Sequence, residues 1–477
     1  MNYTYQQIGL INYPVMLSIL MEQLINITDA IFLGHVGEVE LGASALASIY
    51  YLAVYMLGFG FSLGLQVMIA RRNGERRYAR TGRTFFQGLF FLSALAVLLS
   101  FSSYFLSPFI LKYFIHSPEI YRAVTDYLDW RCFGLLFSFP FLTFRSFYVG
   151  ITRTNALSWA AMTAVSVNIL CNYLFIFVWG KGIAGAALAS SLSEAASLLI
   201  VAVYAWVEVD GRKFGLKPLY DKRLLAELLR LSLWSMLHAF ISVAPWFLFF
   251  VAIERLGEAQ LAVSNIIRSV STVFFVIVNS FAATTGALVS NLIGAGERRL
   301  LFPLCRKIVK LGYAIGFPLI VLAACFHRQI AGLYTDSTRL IEMSAVPFIV
   351  MLFNYVFALP GYVYINAVTG TGKTRTAFLF QLTTIAVYLA YLYLLSRYAG
   401  VPLAVYLMAE YLFVILLARL QTGIRAEPVD QRRERAACCR DGAARHRVGT
   451  EREAWNVRYC TSGSVCMCRM GNGWIAL

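Results

Sequence analysis

The stretch Gly37-Glu-Val-Glu-Leu-Gly-Ala-Ser44 returns 220 residues later as Gly257-Glu-Ala-Gln-Leu-Ala-Val-Ser264. Two further echoes keep the same order and nearly the same spacing. Gly74-Glu-Arg-Arg77 matches Gly296-Glu-Arg-Arg299 at a shift of 222, and Pro140, Gly150, Arg153 and Thr154 match Pro360, Gly370, Lys373 and Thr374 at 220 without a gap. Any one match is compatible with chance. Three in order at one spacing mark an internal duplication.

What is duplicated is apolar. Of 477 residues, 59% are hydrophobic and 14% charged, against about a quarter charged in soluble domains. Apolar stretches of about 20 residues or more recur, each long enough to cross a hydrocarbon core of about 30 Å. Continuous runs imply helices, because barrel strands read as short alternating segments. Twelve spans are predicted, near 8–33, 43–69, 84–111, 121–149, 157–179, 183–207, 224–254, 261–290, 302–326, 341–366, 376–396 and 400–420. The fold class is therefore an all-α integral membrane protein of twelve transmembrane helices in two pseudo-symmetric six-helix bundles. An even number of helices per repeat makes both halves enter the membrane from one side. The boundaries drawn are an N-terminal lobe over 1–207, a cytoplasmic linker over 208–223, a C-terminal lobe over 224–420 and a tail over 421–477.

The net charge of +16 does not point to nucleic acid, because the basic residues lie in short loops between apolar runs. With a cytoplasmic N-terminus, nineteen Lys and Arg fall in inside loops, Arg71 to Arg83 and Arg298 to Lys310 among them, and six in outside loops. That bias places both termini in the cytoplasm of a bacterial-type inner membrane. Met1 to Gln7 carry no Lys or Arg, and the first span contains Pro14, Glu22 and Asp29, unlike a cleavable signal peptide. Cys132, Cys171, Cys305 and Cys325 sit singly in apolar runs, with no disulfide pattern.

Ionisable groups inside apolar spans are costly and point to function. Asp29 lies deep in Leu24-Ile-Asn-Ile-Thr-Asp-Ala-Ile-Phe-Leu33, and its repeat partner is Phe249, so duplication does not explain it. The bland alternative is a carboxylate hydrogen-bonded near a helix end. Asn168 and Asn172 stack four apart on one helix face, with Ser190 on the next helix in reach. A carboxylate with amide and hydroxyl oxygens suits Na⁺, whereas a lone buried acid suits a proton carrier. The asparagines alone would read as interhelical hydrogen bonding. Glu22, Glu194, Arg268 and Glu410 form a secondary set for which structural ion pairing comes first; Arg268 is expected to neutralise Glu410, which falls 220 after Ser190. Arg131, Arg145 and His238 are read as snorkelling or locally bonded.

Two motifs mislead. Gly370-Thr-Gly-Lys-Thr374 resembles the end of a phosphate-binding loop, but Ala367 stands where GxxxxGK[ST] needs its first glycine. Cys438, Cys439, Cys460, Cys466 and Cys468 lack paired CxxC spacing, against a zinc site. From about Arg425 the chain carries ten Arg, no Lys and no apolar period. The expectation there is a disordered cytoplasmic appendage, of the kind a translated frameshift produces.

These residues bring the sequence to a family. Pro14, Gln23, Asp29, Gly34 and Gly37 before Leu41-Gly-Ala43, then Gly58 and Gly60 leading to Ala70 and Gly74, and above all Asn168-Ile-Leu-Cys-Asn172 with Gly182-Ile-Ala-Gly-Ala-Ala-Leu-Ala-Ser190, resemble the multidrug and toxic compound extrusion (MATE) family, its DinF-like branch included. The likeness covers about 1 to 420. It implies a cation-coupling site of Asp29, Asn168, Asn172 and Ser190, with Asn172 where many members have Asp and Ser190 where many have Thr. No acid stands in the middle of the tenth helix, where some members place a second site. The function implied is an H⁺- or Na⁺-coupled antiporter exporting organic cations, with H⁺ preferred because one carboxylate suffices. It acts as a monomer in the bilayer, with no cofactor, no catalytic residues and no metal beyond Na⁺ at the coupling site. The alternative is a flippase for lipid-linked saccharides; a membrane enzyme is disfavoured because the spans hold no metal-ligand cluster or nucleophile–base pair.

Overall fold

Thr4 opens the first helix with a capping box, its hydroxyl accepting from the Gln7 amide while the Gln7 side chain accepts from the Thr4 amide. From there the computed structural model is helical almost throughout. It describes residues 3–114, 118–242, 245, 249, 253, 258–332, 337–397, 401–419, 467–470 and 473–476. In chain order, α1 spans Tyr5–Gly34, α2 Glu38–Gly74, α3 Tyr78–Phe114, α4 Pro118–Arg131, α5 Leu135–Gly150, α6 Asn155–Asn172, α7 Gly182–Glu208, α8 Gly211–Phe214 and α9 Lys222–Ile241. Then α10 spans Glu258–Gly294, α11 Leu301–Cys325, α12 His327–Gly332, α13 Thr338–Gly370, α14 Thr374–Ser396 and α15 Leu403–Arg419.

Among the described residues, eleven helices are long and apolar enough to cross a membrane, with α4 and α5 counted as one, and Leu403–Leu416 is a shorter apolar helix that takes the twelfth place. The order agrees with the twelve expected spans, in two bundles of six. The ends differ. The second and third helices, expected over 43–69 and 84–111, begin earlier and end later, because the helical hydrogen-bond ladder continues through polar turns that carry Arg71, Arg72 and Arg80. Apolar length sets a lower bound on a helix, not its limits. The seventh, expected to 254, is described as α9 to Ile241, and most of 243–257 lies outside the described residues. The fourth span is interrupted by a 3₁₀ turn at Cys132–Gly134.

The duplication is visible bond by bond. Thr154 Oγ1 donates to the Ile11 carbonyl at 3.0 Å, and 220 residues on Thr374 Oγ1 donates to the Leu231 carbonyl at 2.8 Å. Ser191 Oγ donates to Trp130 O at 3.3 Å, and the corresponding Tyr411 hydroxyl donates to Val350 O. The expected linker is not a free strap. Asp210 caps the short α8, Phe214 packs on Tyr78 and Phe147, and Gln87 holds the Leu219 carbonyl at 2.5 Å and the Asp221 amide at 3.1 Å.

At the end of the bundle that carries the basic loops, the two lobes meet backbone to backbone. A Cβ on Gly74 would lie 2.0 Å from the Asn291 carbonyl oxygen, and a Cβ on Gly294, 220 residues later, 1.9 Å from that of Arg71. Neither position admits a side chain without separating α2 from α10. Hydrogen bonds lock the crossing: Arg71 Nη2 to Thr371 O at 2.8 Å, Asn291 Nδ2 to Gly150 O at 2.9 Å, and Asn73 Nδ2 to Asn291 Oδ1 at 2.7 Å. Nearer the middle, Asn12 accepts from Thr284 at 2.9 Å and Gln66 donates to Ala283 O at 3.2 Å.

Residues 422–477 form a separate unit. Most of it lies outside the described residues; Met467–Met470 pairs antiparallel with Gly473–Ala476, a hairpin that the sequence reading did not anticipate.

The crossing yields a test. In a background without the native cysteines, Ser290→Cys, buried beside Gly370, should react slowly with maleimide and faster once Gly74→Val forces α2 from α10. Equal rates would show that this contact does not close the bundle.

Candidate functional site

The four residues expected to share a site converge from three helices of the first lobe: Asp29 on α1, Asn168 and Asn172 on α6, and Ser190 on α7. Asn172 Nδ2 donates to Asp29 Oδ1 at 2.6 Å and Asn168 Nδ2 to the same oxygen at 3.0 Å. Ser190 Oγ donates to Asp29 Oδ2 at 2.6 Å. Asn172 Nδ2 also reaches Asn168 Oδ1 at 3.1 Å, and Asn168 Nδ2 reaches Ser190 Oγ at 3.3 Å. Both asparagines and the serine are buried.

Local sequence explains why α6 and α7 present these groups so closely. Directly after Asn172 the helix widens into a π-helical turn, Tyr173–Val178, a feature that recurs where side chains are re-aimed at a site. Gly180 and Gly182, both at positive φ, carry the turn into α7. Gly185 then allows α7 to lie against the Phe175 backbone, and Ala186, Ala187 and Ala189 are fully buried.

Three donors on one carboxylate suit its ionised form. Asn172 Oδ1 is buried and has no hydrogen-bond partner among the described residues, so the cluster keeps one acceptor for a proton added to Asp29 or for a cation. Asp29 Oδ2, Ser190 Oγ and Asn172 Oδ1 are the oxygens that could hold Na⁺ after a modest rotation of hydroxyl and amide.

The secondary residues take other roles. Glu194 pairs with Arg131, Nη2 to Oε1 at 2.7 Å, and accepts the Tyr51 hydroxyl at 3.2 Å; the Arg131 guanidinium lies 3.9 Å over the Tyr51 ring. Of the two readings of Arg131, snorkelling or bonding, the structure shows bonding, to a carboxylate on α7. Oppositely charged residues in the fourth and sixth spans were the available signal. Gly134 in the 3₁₀ turn makes room, since a Cβ there would meet Arg131 Nη1 at 2.5 Å.

Arg268 does not neutralise Glu410. Arg268 is exposed, whereas Glu410 is buried and accepts from the Tyr388 hydroxyl at 3.3 Å. Tyr388 and Glu410 lie 220 residues after Asn168 and Ser190, so they mirror the first-lobe site, with Phe249 and Leu392 where Asp29 and Asn172 stand. Glu22, exposed on α1, forms no salt bridge among the described residues and interacts only at longer range with the charges of Arg145 and Glu194.

Among the described residues, eleven helices long and apolar enough to cross a bilayer and a shorter twelfth, with a hydrogen-bonded carboxylate held between three of them, mark a multi-pass membrane protein. The chain belongs to the MatE family, whose model matches residues 14–174 and 235–417. It is 22% identical over 383 residues to the probable multidrug resistance protein NorM of Shewanella oneidensis, covering 76% of this chain and 81% of that one. It is 25% identical over 260 residues to the probable NorM of Agrobacterium fabrum, covering 53% and 56%. In fold it resembles the outward-facing conformation of a multidrug resistance MATE family transporter of the MOP superfamily, with a TM-score of 0.81 at 20% identity over 87% of this chain and 94% of that one. The bent form of the Vibrio cholerae transporter VcmN gives 0.77 at 16% identity over 88% and 97%. The family is one of transporters, not enzymes.

Removing one partner of a mostly buried ion pair leaves the other charge uncompensated. Glu194→Gln should therefore lower stability by on the order of 3 kcal/mol in thermal unfolding of the purified protein, and adding Arg131→Met should restore most of it. An unchanged midpoint in Glu194→Gln would show that the pair is not structural.

Proposed function

We propose that the chain is an ion-coupled antiporter that exports organic cations or drugs across the inner membrane by alternating access, with Asp29 as the coupling carboxylate. The observation that carries this reading is the convergence of three donors on Asp29 from two neighbouring helices. Loading H⁺ or Na⁺ onto that carboxylate removes the charge that holds the donors together, so α1, α6 and α7 repack. A ligand can bias a two-state protein only through such differential contacts. Ion and substrate then need only prefer opposite access states for exchange to follow.

Charge bias supports a cytoplasmic position for the basic end, which holds Arg71, Arg72, Arg298 and Arg299, and for both termini. On this reading the glycine crossing closes the cytoplasmic side. A proton is the preferred coupling ion, because the site contains one carboxylate. The matched relatives carry multidrug-resistance names, which favours drug export over movement of lipid-linked saccharides.

In cells expressing Asp29→Asn, efflux of a fluorescent organic cation should fall to background at normal expression; undiminished efflux would refute the assignment. Proteoliposomes under separately imposed H⁺ and Na⁺ gradients should show efflux driven by the H⁺ gradient alone. The lobes hold the proposed machinery, so a chain lacking 426–477 should transport like the whole protein, and loss of transport in a well-expressed truncation would give the tail a role.

A further inference from the structure

Two seams join the lobes, α1 against α10 and α2 against α9, and the 220-residue shift makes them mirror images. Asn12 on α1 corresponds to Ser232 on α9, and Gly60 and Gly64 on α2 correspond to Ser280 and Thr284 on α10. The positions match, but the bonding does not. On the α1–α10 seam, Asn12 Nδ2 donates to Ser280 Oγ at 3.4 Å and Asn12 Oδ1 accepts from Thr284 Oγ1 at 2.9 Å, with all three residues buried. Both ends of the amide are satisfied across the boundary between the lobes.

The α2–α9 seam has glycine where its mirror has hydroxyls. A Cβ on Gly64 would run into the Ser232 side chain, and one on Gly60 would lie 2.5 Å from the Ser235 carbonyl oxygen, so the two helices touch along this face. Ser232 and Ser235 are buried, and among the described residues neither hydroxyl has a hydrogen-bond partner. Such groups are rare and costly, the more so in a bilayer, where water does not reach them. Parting of the lobes admits water to both seams. At Ser232 and Ser235 water supplies bonds that the closed form lacks, whereas at Asn12 it only replaces bonds already made within the protein.

We propose that the two seams bias the opening of the basic end in opposite directions: the Asn12 bonds latch the closed form, and the unpartnered Ser232 and Ser235 hydroxyls carry a cost that opening relieves. This rests on the reading of the chain as an alternating-access transporter and adds the device that keeps its two forms close in free energy. A latch alone would hold one form; opposed seams leave the balance to be tipped by a ligand.

The test is the maleimide reaction rate of Ser290→Cys, buried at the crossing, in purified full-length protein without its native cysteines and with no ion gradient or substrate. Asn12→Ala should raise that rate about fivefold, and Ser232→Ala or Ser235→Ala should lower it by a similar factor. A control, Ser100→Cys, buried within the first lobe, should keep one rate throughout, which separates opening from unfolding. Opposite effects at mirror positions are the result that lost packing alone does not produce. Serine variants that speed the reaction or leave it unchanged would overturn the proposal, and they remove one oxygen each, so they decide the matter even if Asn12→Ala fails to fold. So would an Asn12→Ala that leaves the rate unchanged, or one that speeds Ser100→Cys equally. A parent and variants that never react would overturn alternating access and the proposal together, whereas failed ion coupling in the transport assays would refute the antiporter reading and leave this result standing.

Discussion

A carboxylate inside a membrane-spanning bundle has to be neutralised or surrounded by donors, and Asp29 has three donors within 3.0 Å. Much of the first lobe follows from that requirement. The π-helical turn after Asn172, the glycines at 180 and 182 and the alanine-rich face of α7 bring two amides and a hydroxyl to one acid. The cluster is also poised, because the same donors lose their reason to converge once the charge is cancelled. On the proposed reading, stability and switching depend on one set of hydrogen bonds.

The second lobe shows what duplication does when this requirement lapses. Phe249 replaces the acid, Leu392 replaces one asparagine, and a single polar pair, Tyr388 and Glu410, remains at the positions of Asn168 and Ser190. The scaffold contacts were retained instead. The threonine bonds to Ile11 and Leu231, and the paired glycine approaches at Gly74 and Gly294, obey the 220-residue shift. Symmetry thus belongs to the scaffold contacts, and asymmetry to the polar cluster.

Much of this was legible in the sequence. Apolar length and the repeat gave the helices, their order and their division, because bilayer thickness and duplication leave marks of long range. The convergence of Asp29 with the asparagines was legible because a buried acid and an i, i+4 amide pair are rare in apolar spans. Helix ends were not, since polar turns continue a helix without an apolar signal. Nor were pairings between distant spans: Arg131 with Glu194, or Glu410 with Tyr388 rather than Arg268, depend on helix rotation, which composition does not encode.

The central claim is that the state of Asp29 decides which end of the bundle is open. Spin labels at Arg80 and Arg299, exposed on the two lobes at the basic end, report that opening by double electron–electron resonance. The account predicts that the distance distribution of the otherwise unaltered chain shifts on acidification or Na⁺ addition, and that Asp29→Asn gives one distribution indifferent to both. A chain carrying Asp29→Asn that still responds like its parent would contradict it.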